Sequence, residues 1–202
     1  MDELLKQKFR EKLNSYYPIS EATFQKLLNM ASIISLKKNE ELITQGMVSR
    51  QFCFLYTGYM IAHINDADGH SYNKNIFVEG DWVGSTVSNI TRKQSEFTIK
   101  AVTNCLLVSL PYSSLRDLIF HSEDLKLFYI HYLEQNWIIE KEKREVSIVM
   151  DDAPLRYEKL LNQHPDMENY VPLQEIASHL GITPTQLSRI RKKQKYLSTQ
   201  HR

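Results

Sequence analysis

The 202-residue chain predicts an α+β protein. It should hold an N-terminal antiparallel β-roll of jelly-roll type with flanking helices, then a long dimerisation helix, then a C-terminal helix-turn-helix domain. Three observations predict this. Five of the six glycines and none of the six prolines fall within residues 33–110, where short β-rich runs alternate with turn signals. Residues 123–150 carry apolar side chains at steps of three and four, over roughly 40 Å of helix at 1.5 Å per residue. Residues 173–193 read as two short helices around Gly181. The expected divisions are 1–122, 123–150 and 151–202.

Residues 2–14 form a helix with Leu4, Leu5, Phe9 and Leu13 as its apolar stripe, ended by Pro18. Ser20 caps a second helix, with Glu21 in its first turn and Phe24, Leu27, Leu28 and Ala31 inward. This pair is too small for a domain and flanks the β-rich region. Strands are expected over 33–36, 42–44, 52–56, 59–64, 72–78, 97–102 and 106–110. Asp66-Ala67-Asp68-Gly69 is a hairpin signal.

Pro111 opens helical territory, first over 112–120 and then over 123–150. In the long helix Leu125, Phe128, Tyr132, Gln135, Ile139, Glu142, Val146 and Val149 step strictly by three and four, a coiled-coil seam. The seam can meet a partner helix or the protein's own barrel. A helix this long outruns a domain of this size, which favours the partner. Gln135 and Glu142 weaken the seam and can fix its register. Residues 151–154 break the helix and form a hinge. A helix over 155–163 comes next, with Leu160 and Leu161 as core candidates, then a loop to Pro172.

In the terminal hairpin Leu173, Ile176, Ala177 and Leu180 share one face, and Gly181 suits the left-handed backbone after a helix. Thr183 caps the next helix, Pro184 takes its first position, and Gln186 completes a capping box. Leu187 and Ile190 face inward; Thr185, Gln186, Ser188, Arg189, Lys192 and Lys193 remain outward. No acidic residue follows Glu175, while six basic ones do, leaving 19 basic against 24 acidic residues before that point. Excess positive charge confined to one terminal hairpin is the footprint of a polyanion partner. A small helical hairpin with a solvated basic face is the plain alternative.

Other chemistries find little support. There is no phosphate-binding glycine loop. His63, His70, His121, His131, His164, His179 and His201 are scattered, with no metal-ligand spacing, and no nucleophile is coupled to a base by local pattern. The isolated Cys53 and Cys105 lie in apolar runs and read as buried structural thiols. No run has the length of a membrane span, and the N-terminus lacks an apolar signal core. A cytoplasmic protein with neither metal nor cofactor, and not an enzyme, is expected.

The order of elements, with LKKNEELITQG (36–46), FCFLYTGYMIAHI (52–64), FVEGDWVG (77–84) and IASHLGITPTQLSRIRKK (176–193), resembles the Crp/Fnr superfamily of bacterial transcription regulators over nearly the full length. The resemblance implies a cyclic-nucleotide-binding-like roll, a homodimer through the long helix (Leu125, Phe128, Tyr132, Gln135, Ile139, Val146 and Val149), a winged-helix-type terminal unit on double-stranded DNA, and RNA polymerase as a further candidate partner. Cyclic-AMP-binding members carry a Gly-Glu for the ribose and an Arg-Ser or Arg-Thr for the phosphate. Here these fall at Gly84-Ser85 and Ser95-Glu96, before Phe97. Glu96 would repel a phosphate at close range, and Arg92 and Lys93, a few residues earlier, are candidates to replace the lost arginine in a different loop arrangement. Gly84, Ser85, Ser95, Glu96 and Phe97 are therefore a candidate pocket for an unknown small-molecule effector, with cyclic AMP not expected. Nine residues after Lys193 are too few for a wing, so phosphate contacts fall to the recognition helix and tail. Thr185, Gln186, Ser188 and Arg189 are the base-reading candidates; Arg191, Lys192, Lys193 and Lys195 the phosphate-holding ones. The rivals are a cytosolic ligand-sensing module whose hairpin binds protein and, last, a cupin-like metalloenzyme, for which the predicted roll offers only His63 and His70.

Overall fold

The computed structural model describes residues 1–66 and 71–200, without the side chains of 195–200. Helices α1 (Glu3–Asn14) and α2 (Glu21–Met30) precede the strands. Asp2 caps the first and Ser20 the second, each side chain accepting a main-chain N–H of the first turn. Leu5, Phe9 and Leu13 of the expected stripe are buried; Leu4 is exposed.

Among the described residues, eight strands form two four-stranded antiparallel sheets. Strands β1 (Ser32–Leu36), β8 (Cys105–Pro111), β3 (Gln51–Thr57) and β6 (Trp82–Val83) make one; β2 (Glu41–Ile43), β7 (Thr98–Ala101), β4 (Met60–Asn65) and β5 (Ser71–Phe77) make the other, with β5 at its margin. The two-residue period of a strand explains three core layers. Cys53, Leu55, Met60, Ala62, Ile99 and Leu107 fill the space between the sheets. Phe52, Phe54, Val108 and Leu110 point out of the first sheet against Phe9, Phe24 and Leu27. Phe9 sits at the centre of that layer, its ring centroid 5.6 Å from Phe54 and 6.0 Å from both Phe24 and Trp82. Ile61, Ile76 and Val102 point out of the second sheet into a cluster with the C-terminal helices. A roll covered on both faces explains why its strands read as apolar runs rather than clean alternations.

Strand β6 and helix α3 (Thr86–Thr91) lie where no element is expected from the sequence. Both are short, and α3 is rich in Thr, Ser and Asn, weak helix formers that prefer to bond nearby main chain. The hairpin signal falls partly outside the described residues, but β4 and β5 pair antiparallel from Asn65–Ser71 inward, as a hairpin requires.

Helix α4 (Tyr112–His121) leads to the long helix, which is not uniform. It runs as α5 (Glu123–Leu133), a π-helical stretch (Glu134–Ile139) and α6 (Glu140–Met150). Wider π turns shift every later side chain around the axis. The single seam expected from the sequence is thereby split. Leu125, Phe128 and Tyr132 are at most 4 % exposed and belong to the protein's own core with Phe54 and Trp82, so they are not surface seam positions. Gln135, Ile139, Val146 and Val149 are exposed, Val149 by 80 %.

Asp152 caps α7 (Ala153–Gln163) by accepting from the Leu155 N–H at 2.9 Å, with proline in the first turn. Leu160 and Leu161 are only partly buried; Tyr157, 1 % exposed, is the true centre of that helix's core face. The expected loop to Pro172 contains a short helix, α8 (Met167–Tyr170). Helices α9 (Leu173–His179) and α10 (Pro184–Gln200) close the chain. Residues 194–200 continue α10.

Candidate nucleic-acid interface and effector pocket

The turn between α9 and α10 has the expected local chemistry. Gly181 has φ +68°, the left-handed region that glycine enters freely. Gln186 N–H donates to Thr183 Oγ1 at 3.2 Å, and Thr183 N–H donates to Gln186 Oε1 at 2.8 Å, a reciprocal capping box. Ile176, Ala177 and Leu187 are fully buried and lock the two helices together. This fixes the direction in which α10 presents its outer face. Thr185, Gln186, Ser188, Arg189, Lys192 and Lys193 all lie exposed on it.

Arg191 departs from the group. Its Nε lies 2.8 Å from Glu168 Oε1, an oxygen that also accepts the Tyr157 hydroxyl, and it is turned toward α8 rather than outward. Burial, and then the neighbouring Glu168 carboxylate, push the Tyr157 hydroxyl well above its ordinary pKa, so it stays a donor. Arg191 is a strut tying α10 to α8 and α7, already engaged by an acid and so ill placed to hold phosphate. The Lys195 side chain lies outside the described residues.

The roll's candidate pocket is closed. Ser85 and Ser95 are 1 % and 3 % exposed, their hydroxyls 3.1 Å apart, and Ser95 Oγ donates to the Phe97 carbonyl at 2.8 Å. The main chain of Ser95 is paired with the strand-to-strand loop, Ser95 N–H to Met47 O and Gly46 N–H to Ser95 O, each at 2.8 Å. Gly84 leaves no spare room: a Cβ there would come within 3.2 Å of the Gln51 carbonyl. Helix α3 is pinned from behind by Asn89 Nδ2, which donates to Gln51 O at 2.9 Å, and by Ser88 Oγ, which accepts from Ser49 N–H at 2.9 Å. Glu96 is exposed, as are Arg92 and Lys93, so neither the feared repulsion nor the substitute cations reach the interior. Among the described residues no Lys or Arg is fully buried. Two open surface hollows occur elsewhere, one between α2 and α4 and one beside the π-helical stretch; neither touches Ser85 or Ser95.

Sequence reasoning missed the contact between α9 and β5. Asn73 N–H donates to Ser178 Oγ at 2.8 Å, and Asn73 Nδ2 donates to the Glu175 carbonyl at 3.2 Å. No local pattern marks these residues, because they are about a hundred positions apart. Among the described residues, no three His, Cys, Asp or Glu side chains are grouped to hold a metal, and no helix is long and apolar enough to cross a membrane.

Residues 33–122 match the family model of the cyclic nucleotide-binding domain. The search of curated proteins gives no match. Among solved structures, the chain is similar to the c-di-GMP-responsive global regulator CLP of Xanthomonas campestris (16 % identity, TM-score 0.67, covering 89 % of this chain and 93 % of that one). It is similar also to FixK2 of Bradyrhizobium japonicum (15 %, 0.69, 83 % and 86 %). A putative cAMP-binding regulatory protein from Silicibacter pomeroyi is a third (20 %, 0.65, 95 % and 88 %). The chain shares the fold of these proteins over most of its length and carries a cyclic nucleotide-binding domain at residues 33–122.

Proposed function

We propose that the protein is a dimeric, non-enzymatic transcription regulator that binds an inverted-repeat DNA site without control by cyclic AMP. The supporting observation is the capped helix α10, held rigidly on α9, with Arg189, Lys192 and Lys193 exposed together beside Thr185, Gln186 and Ser188. A rigid helix with that face fits the major groove, where a guanidinium can bond guanine bidentately and lysines hold the flanking phosphates. Dimerisation falls to the outward half of the long helix, through Ile139, Val146 and Val149. Two recognition helices paired by a two-fold axis would then sit about one turn of DNA apart, roughly 34 Å. Independence from cyclic AMP is supported by the Ser85–Ser95 closure and by the lack of a buried cation among the described residues. The units proposed are the roll through residue 122, the helix to 150 and the DNA-binding unit from 151.

Selection from a random DNA pool, with and without cyclic AMP, tests this reading. The expected product is a palindrome of the same sequence in both arms. No enrichment would remove the reading, and enrichment only with cyclic AMP would remove the claim about the pocket.

A further inference from the structure

The C-terminal unit is fastened to the roll as well as tethered by chain. Besides the two Asn73 bonds, Ser178 Oγ reaches the Ser71 carbonyl at 3.3 Å, and Arg144 of α6 donates to the Lys74 carbonyl at 2.5 Å. Tyr59 of the roll stacks on Tyr170 at 5.0 Å, and Ile61, Ile76 and Val102 share a cluster with Tyr157, Met167 and Ile176.

This seam contains two histidines. His63 is 9 % exposed and sits across the ladder from Asn73. His179 ends α9 and is half-buried, with its Nδ1 enclosed. The Nδ1 of both rings and the Oδ1 of Asn73 have no hydrogen-bond partner. Three unpaired polar atoms in one contact mark it as costly to charge. A neutral ring tolerates an unpaired acceptor nitrogen. A protonated ring carries N–H on both sides, so each enclosed Nδ1 would hold a proton where it now makes no hydrogen bond.

We propose that this seam is an acid-released clasp, in which proton uptake by His179, assisted by His63, detaches the helix-turn-helix unit from the roll. The charges around it set the direction. Burial is the largest influence on both rings. Arg144 from α6 and His164 after α7 further oppose charge on His179, while the Asn73 main chain favours it. Lys100 on β7 opposes charge on His63, against Glu175 on α9 and Glu41 on β2. Arg156 of α7 donates to the Leu180 carbonyl and Lys74 of β5 lies over the Phe97 ring; both are cations, so neither offsets a positive charge on either ring. Both rings are held below the ordinary histidine value, His179 down to about 4. A lowered value means that docking is strongest above the free pKa of about 6.5 and weakens as pH falls toward 4. His179 alone then weakens docking about tenfold between pH 7.5 and pH 5.5. The clasp operates whatever the released unit binds.

Hydrogen exchange of the full chain at pH 7.5 and 5.5, corrected for the intrinsic pH dependence of exchange, tests it. Protection of the β5 segment should fall about tenfold in the wild type and less than twofold in His179→Gln. Ser178→Ala should lower β5 protection at both pH values and keep the acid response. Equal wild-type protection at both pH values, or the same fall in His179→Gln, would overturn the clasp. Strands β3 and β8 serve as the fold reference. Should His179→Gln lose protection there too, the wild type decides alone: a fall confined to β5 and α9 supports release, and a fall shared with β3 and β8 overturns it.

Discussion

Ser95 holds its hydroxyl 3.1 Å from that of Ser85, with both residues shut away from solvent. Two small neutral groups stand where cyclic-AMP-binding members of the resembled superfamily carry an acid and a base. Ser95→Arg should therefore bury a guanidinium with no acid beside it and cost about 3 kcal/mol or more in urea denaturation. Adding Ser85→Glu should recover part of that loss. A double-mutant cycle with no favourable coupling would show that the two side chains do not face one another.

The two halves of the long helix should answer differently to substitution. Phe128→Ala empties a site 1 % exposed and should cost about 3–5 kcal/mol. Val149→Glu changes a side chain 80 % exposed; it should leave monomer stability within about 0.5 kcal/mol and weaken dimers in sedimentation. Equal effects of the two changes on both readouts would remove the division made by the π-helical stretch.

On DNA, Arg189→Ala should cost about 1–3 kcal/mol and relax preference at one base position. Lys192→Ala should weaken all sequences alike and reduce the salt slope by about one. Arg191→Ala should act differently from both. Its partner is Glu168, so it should loosen α10 and lower thermal stability, with the salt slope unchanged. A drop in salt slope for Arg191→Ala would return that residue to the phosphate-holding group.

Gly58 offers a test of the roll's frame. Its φ is +101°, and a Cβ there would lie 2.5 Å from the Asn104 carbonyl and 2.7 Å from Cys105 Sγ. Gly58→Ala combines backbone strain with a clash and should cost roughly 2–4 kcal/mol. A thermal midpoint within a degree of wild type would mean the turn readily rearranges.

Much of this architecture could be read from the chain because the decisive signals are local. The capping box at Thr183 and Gln186, glycine at 181 and the glycine-rich strand region each act over a few residues, and the structure realises all of them. What escaped depended on distance or on small energies. Helix α3 has no apolar period, and the π-helical stretch has no residue signature to separate Tyr132 from Ile139. Arg191 looked like its basic neighbours until Glu168, 23 positions away, was brought to its side. The identity of Ser85 and Ser95 marked a departure from the pattern of the resembled superfamily. Only the fold shows that the space had closed behind them.

Strand β5 is the margin of its sheet, and α9 lies against it. An uncovered strand margin offers a row of free main-chain donors and acceptors to any other chain. Ser178 thus also acts as a guard against unwanted strand pairing, since its hydroxyl occupies the Asn73 N–H that a foreign strand would seek. A protein that loses this cover should become sticky before it unfolds, and its solubility limit in acid should be reached while β3 and β8 are still intact.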